Sequence, residues 1–186
     1  MRRFILEVAL LIVPCFAFGQ YFELTPNGME AAAGTGKNFV VLEFPGETQA
    51  ELFDKARNYL VSTLPSAKDV LSESRPAILS VNAILPCTFK AGFNYDALVS
   101  YKYELAFKDG RIKVDFDVLA FSLPPQPKNP KFSIGLVASG FGSYGVFKKN
   151  GAVSSAPTKA AIEEYANGLT KGLSDAISGK NMDNNW

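Results

Sequence analysis

The chain has 186 residues, of which 47% are hydrophobic and 20% are charged, and its formal net charge is +1. These proportions are typical of one globular domain, or of two small ones, and argue against a disordered chain. The sequence contains no histidine. This excludes catalytic dyads and triads with an imidazole base, and metal sites that need imidazole ligands.

Residues 1–19 have the pattern of a secretory signal peptide. Two arginines precede an apolar run, and the small residues Ala17 and Gly19 stand three and one positions before a predicted cleavage site at Gln20. We therefore expect an exported protein, either periplasmic or secreted. Cleavage would remove two arginines and one glutamate, which changes the net charge from +1 to zero.

Two alternatives to simple cleavage are less consistent with this pattern. A retained membrane anchor is less favoured because the apolar run is shorter than the ~20 residues of a span, so we expect no integral membrane span after cleavage. Lipoprotein anchoring at Cys15 is also less favoured, because Pro14 stands where a small residue should precede the lipidated cysteine. Cleavage would leave Cys87 as the sole cysteine, so no intramolecular disulfide is expected.

The first third of the chain predicts a lead-in, a strand and a helix. Residues 20–37 are rich in glycine and are predicted to form an N-terminal lead-in, a segment that precedes the domain and contains one short strand at 21–24. The apolar run 39–44 predicts a buried strand that ends at Pro45-Gly46. After it, Thr48 and Glu51 match a capping box, and apolar residues then recur at helical spacing as far as Pro65.

The middle of the chain predicts an antiparallel sheet. Residues 68–73 and 77–85 read as two strands, and 86–94 as a loop. Alternation then predicts a hairpin around the turn Asp109-Gly110. Its register sets Phe107 opposite Ile112, Leu105 opposite Val114, Tyr103 opposite Phe116, and Lys102 opposite Asp117. All the apolar side chains then lie on one face, as in a sheet that is covered on one side only.

The last third predicts one further helix. Residues 123–130 form a proline-rich connection, and the order of elements in 131–147 is not predicted. A second helix is expected to begin at Ser155, with Pro157 in its first turn, and to end at Gly179. Residues 180–186 form a polar tail.

Four segments, residues 39–46, 48–53, 65–71 and 105–112, resemble an exported bacterial family of unknown function. The domain of that family has a fold like one repeat of the TATA-box-binding protein. The resemblance covers residues 38–121 and implies a curved antiparallel sheet with two helices packed on one face, in a single domain over 38–179. It brings no known catalytic residues. The order of the predicted elements gives the same α+β class independently.

Several residue patterns were considered as chemical sites. Residues 140–145 match the glycine spacing of a dinucleotide-binding loop, but the residues that follow do not begin a helix, so a glycine-rich loop or distorted strand is favoured. Gly36-Lys37 lacks the rest of a phosphate loop. Cys87 has no histidine to lower its pKa, and no serine stands in a nucleophile motif. We therefore predict no catalytic residue and no cofactor.

Acidic residues on the hairpin offer a further candidate. Asp115 and Asp117 lie on one strand face, with Glu104 across from Asp115, and such carboxylates serve in hydrolases and in calcium sites. Because Lys102 and Lys113 are interleaved with them, a solvated charged face is favoured, and no metal site is predicted. Nucleic-acid binding is not expected either, since a neutral exported chain lacks the basic surface that it needs.

The segment 131–147 supplies a candidate contact patch. If exposed, its apolar residues would bind a protein partner or a lipid; the favoured alternative is that they cover the sheet edge or the groove between the helices. The patch consists of Phe132, Ile134, Phe141, Tyr144 and Phe147, with Leu136 and Val137 between them.

Three functions remain open from the sequence. The first is a non-enzymatic envelope protein that binds an unknown envelope protein or a small ligand through the open sheet face or the 131–147 segment. The second is a hydrolase of envelope polymers that uses Glu104, Asp115 and Asp117. The third is a structural module that docks on a larger assembly.

Overall fold

A computed structural model describes residues 21–91, 93–124 and 132–180. The predicted signal peptide, most of the proline-rich connection and nearly all of the polar tail lie outside these residues. The described elements are, in chain order, β1 (Phe22–Thr25), β2 (Gly28–Ala31), β3 (Phe39–Glu43), α1 (Gln49–Thr63), α2 (Ala67–Val70), β4 (Leu71–Ser74), β5 (Ile78–Ala91), β6 (Phe93–Lys108), β7 (Arg111–Ser122), β8 (Ser133–Val137), β9 (Ser143–Phe147) and α3 (Ala156–Ile177).

Five strands form the central sheet in the order β3-β7-β6-β5-β4, and every neighbouring pair is antiparallel. The predicted register of the β6–β7 hairpin is confirmed at each of its pairs, including Lys102 opposite Asp117. Gly110 adopts a φ of 72° in the connecting turn, a conformation that glycine accepts without steric cost.

Both long helices pack on the same face of this sheet. The Phe53 ring of α1 lies 5.4 Å from the Phe107 ring of β6, and the Tyr165 hydroxyl of α3 lies 2.6 Å from that of Tyr101. On β6 the odd-numbered residues from 97 to 107 are buried under the helices, whereas the even-numbered residues between them are half-buried. The predicted α+β architecture, with an antiparallel sheet and two helices on one face, is confirmed.

Both helices begin as their sequences predict. The Thr48 side chain accepts from the Glu51 amide, and the Glu51 carboxylate accepts from the Thr48 amide, which completes the capping box. Proline occupies the first turn of α3, where the absent N–H has no intrahelical partner to lose. Among the described residues, no helix is long and apolar enough to cross a bilayer.

The lead-in differs from its prediction as a single strand. Residues 22–31 form a hairpin, β1–β2, that packs against α3. The Asn167 side chain on α3 fixes this contact, because its Oδ1 accepts from the amides of Tyr21 and Phe22 at 2.6 and 2.8 Å. Because Asn167 is distant in the chain from β1 and β2, the local sequence gives little indication of this hairpin.

Two further expectations in the middle of the chain were wrong. The loop predicted over 86–94 is not seen in its described residues, 86–91 and 93–94, because β5 and β6 remain paired from Ile78 with Ala106 to Ala91 with Phe93. Residues 67–70 form a helical turn, so that the strand predicted from 68 begins only at Leu71. The unassigned segment 131–147 contains a parallel pair, β8–β9, and β8 lies against β7.

Candidate functional site

The face of the central sheet opposite α1 and α3 is here called the open face. Its central row crosses the sheet in register, from Ser80 on β5 through Glu104 on β6 and Asp115 on β7 to Phe39 on β3. Neighbours in such a row have Cα atoms roughly 4.5–5.5 Å apart. The sheet therefore places a hydroxyl, two carboxylates and an aromatic ring side by side.

Lysine side chains pair with both carboxylates of this row. Lys102 Nζ lies 2.6 Å from Glu104 Oε2, and Lys113 Nζ lies 2.9 Å from Asp115 Oδ2. The hydrogen bond to Glu104 raises the pKa of Lys102, so this ammonium stays charged. These pairs match the interleaved charges that the sequence predicts, with Asp117 exposed beside them. Among the described residues, no group of three acidic, cysteine or histidine side chains is placed to hold a metal ion.

Two polar atoms of the row remain without a hydrogen-bond partner within the described part of the chain. Ser80 Oγ and Asp115 Oδ2 are both buried, and both residues are only 9% exposed. The contact of Asp115 with Lys113 is close enough for an ion pair but lacks hydrogen-bond geometry. Buried polar atoms without a hydrogen-bond partner are uncommon in native proteins, and the burial of these two keeps both from direct contact with a molecule on this face.

An apolar zone lies next to this row on the open face. It consists of Ile84, Pro86, Leu98 and Leu119. Ile84 and Leu119 are 59% and 57% exposed, and Pro86 pairs with Leu98. A register shift beside Ser100 adds Leu119 as an extra residue on β7, as a β-bulge does.

A shallow depression of about 370 Å³ borders the apolar zone. Pro86, Thr88, Asp96, Leu98 and Pro124 contribute to its lining. Its open, shallow form differs from the deep cleft that encloses a small ligand.

The candidate patch in 131–147 is divided between the interior and the surface. Phe147 is buried, Ile134 packs partly buried against the core, and Phe132 is half-buried between the rings of Tyr95 and Tyr144, whose centroids lie 5.0 and 5.1 Å away. Phe141 is fully exposed and Tyr144 is 42% exposed. Much of the segment thus has the covering role that the sequence favours, and the use of its exposed residues as a contact patch stays a prediction.

The remaining chemical candidates have structural roles. Residues 143–147 form strand β9, so no helix follows the glycines. A side chain at Gly145 would collide with the backbone of Ala138, which shows why glycine is needed there. Burial raises the pKa of the Cys87 thiol, which disfavours the reactive thiolate. The Lys37 ammonium lies 5.5 Å from the centroid of the Phe39 ring.

Ser80, Ile84 and Leu119 were not singled out from the sequence. A signal for Ile84 was present, because the alternation of Leu79, Val81, Ala83 and Leu85 leaves Ile84 on the opposite, polar face. No such signal exists for Leu119, because its exposure depends on a bulge that interrupts the alternation.

Comparison with known proteins identifies the fold. No family model and no curated protein matches the sequence. The chain is similar to the crystal structure of a DUF4468 family protein from Bacteroides ovatus, with a TM-score of 0.50 and 14% identity over 75% of this chain and 84% of that one. A TBP-like protein from Parabacteroides distasonis gives a TM-score of 0.48 and 10% identity over 75% and 90% of the two chains.

The likeness to the DUF4468 protein shows a shared fold, and it carries no activity with it. The predicted resemblance to a family of unknown function is confirmed at the level of the α+β fold.

Proposed function

We propose that the chain is a non-enzymatic exported protein that binds a protein partner through the open face of its sheet. The observation that carries this proposal is the pair of exposed apolar side chains, Ile84 and Leu119, on a face that neither long helix covers. Burial of one such side chain in an interface contributes roughly 1.5–3 kcal/mol.

The arrangement of the face supports a protein as the partner. Protein interfaces combine an apolar centre with a polar rim. Here the apolar zone stands beside a polar row whose two carboxylates are paired with lysines. The adjoining depression is shallow, which favours a protruding side chain over an enclosed small molecule.

The hydrolase alternative has weaker support. A hydrolase of this kind needs one free carboxylate and one protonated carboxyl on either side of a cleft, roughly 5–10 Å apart. Glu104 and Asp115 are instead paired with lysines on a sheet surface. No specific observation favours their use in catalysis.

Site-directed photocrosslinking in cells tests the proposal. A photoreactive amino acid at Leu119 should give a discrete adduct with another protein of the cell envelope. The same group at Val61 should give none, because Val61 is 45% exposed but lies on α1, on the other side of the molecule. Equal labelling at both positions, or no adduct from Leu119, would overturn the proposal.

A matched pair of substitutions provides a second test of the proposal. Leu119→Lys places a charge in the apolar zone and should abolish the adduct formed by a photoreactive group at neighbouring Leu98. Val61→Lys should leave that adduct unchanged. Thermal unfolding of both variants controls for stability, since surface substitutions of this kind usually change stability by less than about 0.5 kcal/mol.

A further inference from the structure

Two phenylalanine rings on different loops are left in water. Phe93 closes the long β5–β6 hairpin, where it pairs with Ala91, and it is 78% exposed. Phe141 lies in the loop between β8 and β9 and is fully exposed. A single exposed apolar side chain is ordinary on a protein surface, so the meaning of this pair depends on whether the two rings lie at the same end of the molecule.

A ladder of aromatic side chains leads from the end of the hairpin to β9. Phe93 and Tyr95 are two residues apart on β6 and therefore lie on the same face of that strand. The Phe132 ring stands between the rings of Tyr95 and Tyr144 and makes an edge contact with both. The end of the β5–β6 hairpin is thus joined to β9 through side chains.

Phe141 lies at this same end. The amide of Ser133 donates to the carbonyl of Gly142 at 3.0 Å, and Phe132 and Phe141 are the residues that directly precede these two. The backbone of Phe141 is therefore close to that of Phe132, whose ring belongs to the ladder. The resulting group, here called the aromatic end, consists of Phe93, Tyr95, Phe132, Phe141 and Tyr144.

The chain that forms the aromatic end is uncharged, and a lysine stands behind it. Residues 91–95 and 132–147 contain no charged side chain. In the hairpin, the exposed Lys90 lies one pair from the end, whereas the acidic Asp96 lies two pairs further back. Aromatic rings with a basic side chain behind them are typical of surfaces that rest in the headgroup region of a bilayer.

The polar groups beside Phe141 offer little to a protein partner. A protein interface surrounds its apolar centre with a rim of hydrogen bonds. Here the two hydroxyls of the loop satisfy each other, because Ser139 Oγ donates to Ser143 Oγ at 2.9 Å. What the loop presents to solvent is a ring between Gly140 and Gly142. A lipid surface accepts such a ring without a fixed pattern of donors and acceptors.

We propose that the aromatic end binds the surface of a lipid bilayer. The rings of Phe93 and Phe141 enter the boundary between headgroups and acyl chains, and the Lys90 ammonium lies at the level of the lipid phosphates. Tyr144 is partly exposed and suits the same boundary, since its ring is apolar and its hydroxyl is polar. Because the affinity of such contacts grows with the apolar area that is buried, two rings give peripheral and reversible binding.

Co-sedimentation with vesicles of phosphatidylcholine and phosphatidylglycerol tests the proposal. The chain is used without residues 1–19, because their apolar run would itself bind lipid. The wild type should bind, and Phe93→Ser and Phe141→Ser should each weaken binding by about tenfold, the effect of losing one buried ring. Leu119→Ser is the matched control, since Leu119 is 57% exposed but lies on the open face. A wild type that does not bind, or an equal loss with Leu119→Ser, overturns the proposal.

Fluorescence gives a second readout that does not depend on a loss of binding. Trp186 is the sole tryptophan of the chain, so Phe141→Trp is combined with Trp186→Phe. Emission from position 141 should shift to shorter wavelength when vesicles are added and should be quenched by brominated acyl chains. Leu119→Trp in the same background should show neither effect. Quenching that is absent at position 141, or equal at both positions, refutes the proposal.

Crosslinking in cells separates a lipid surface from a protein partner. A photoreactive amino acid at position 141 should give no discrete protein adduct, because its neighbours are lipids. A discrete adduct with an envelope protein would show that the aromatic end is a protein interface, and it would overturn the assignment to a bilayer.

Discussion

A matched pair of glycines on α3 allows the contact between the two long helices to be measured. Gly168 and Gly172 are one helical turn apart. A Cβ added at Gly168 would meet nothing within 4 Å, whereas one at Gly172 would collide with the Tyr59 hydroxyl and approach its Cζ to 2.9 Å. Glycine at Gly172 thus lets the Tyr59 ring of α1 lie directly on α3.

The two substitutions should change stability in opposite directions. Gly168→Ala should raise the free energy of unfolding by about 0.5–1 kcal/mol, because alanine loses less backbone entropy in a helix. Gly172→Ala brings the same gain in backbone entropy, but its methyl group overpacks the contact between the helices, at a cost of about 1–3 kcal/mol. It also strains the hydrogen bond that Tyr59 Oη donates to the Leu169 carbonyl at 3.2 Å. The two variants should therefore differ by about 1–3 kcal/mol.

Denaturant and thermal unfolding measure this difference. For a domain of this size it corresponds to roughly 2–12 °C in Tm, with Gly172→Ala the lower. Tyr59→Phe removes the colliding oxygen, so it should reduce the cost of Gly172→Ala when the two changes are combined. Equal Tm values for the two alanine variants, or a Gly172→Ala cost that Tyr59→Phe leaves unchanged, would refute this account of the helix contact.

Three further predictions concern pH, capping and export. Burial raises the pKa of Tyr103, so the unfolded chain loses this proton at a lower pH than the folded chain does. The free energy of unfolding should therefore be constant with respect to this group below about pH 10 and fall as the pH rises above it. Tyr103→Phe should flatten this fall in denaturant titrations, and an unchanged alkaline slope would contradict it. Thr48→Ala should cost about 1 kcal/mol of unfolding free energy because it removes the helix cap, whereas Thr35→Ala in an exposed turn should cost almost nothing. Residues 1–25 fused to a reporter that is active only outside the cytoplasm should give signal, and a silent reporter would contradict export.

Elements that are fixed by residues close together in the chain could be predicted from the sequence. The β6–β7 register follows from alternation about a two-residue turn, so the pairs from Phe107 with Ile112 to Tyr101 with Val118 are fixed locally. The start of α1 follows from two side chains three residues apart. In both cases the interacting groups are neighbours in the chain, and no knowledge of the tertiary structure is needed.

Elements that depend on residues far away in the chain could not be predicted. The β1–β2 hairpin depends on Asn167, which lies on the last helix. The loop expected over 86–94 is part of two paired strands, because Pro86 lies on an outer edge, where it breaks no ladder bond. The sequence shows the proline but not the edge, so a feature that usually ends a strand was misread.

Some features of the candidate site could likewise be predicted from the sequence, and others could not. The charges of the open face, such as Lys102 and Glu104, were placed correctly because alternation assigns them to the polar side of the hairpin. Ser80 Oγ and Asp115 Oδ2 are buried, and the row that contains them crosses four strands. The exposure of Leu119 depends on a bulge. Properties that arise from several strands together cannot be obtained from the pattern of one.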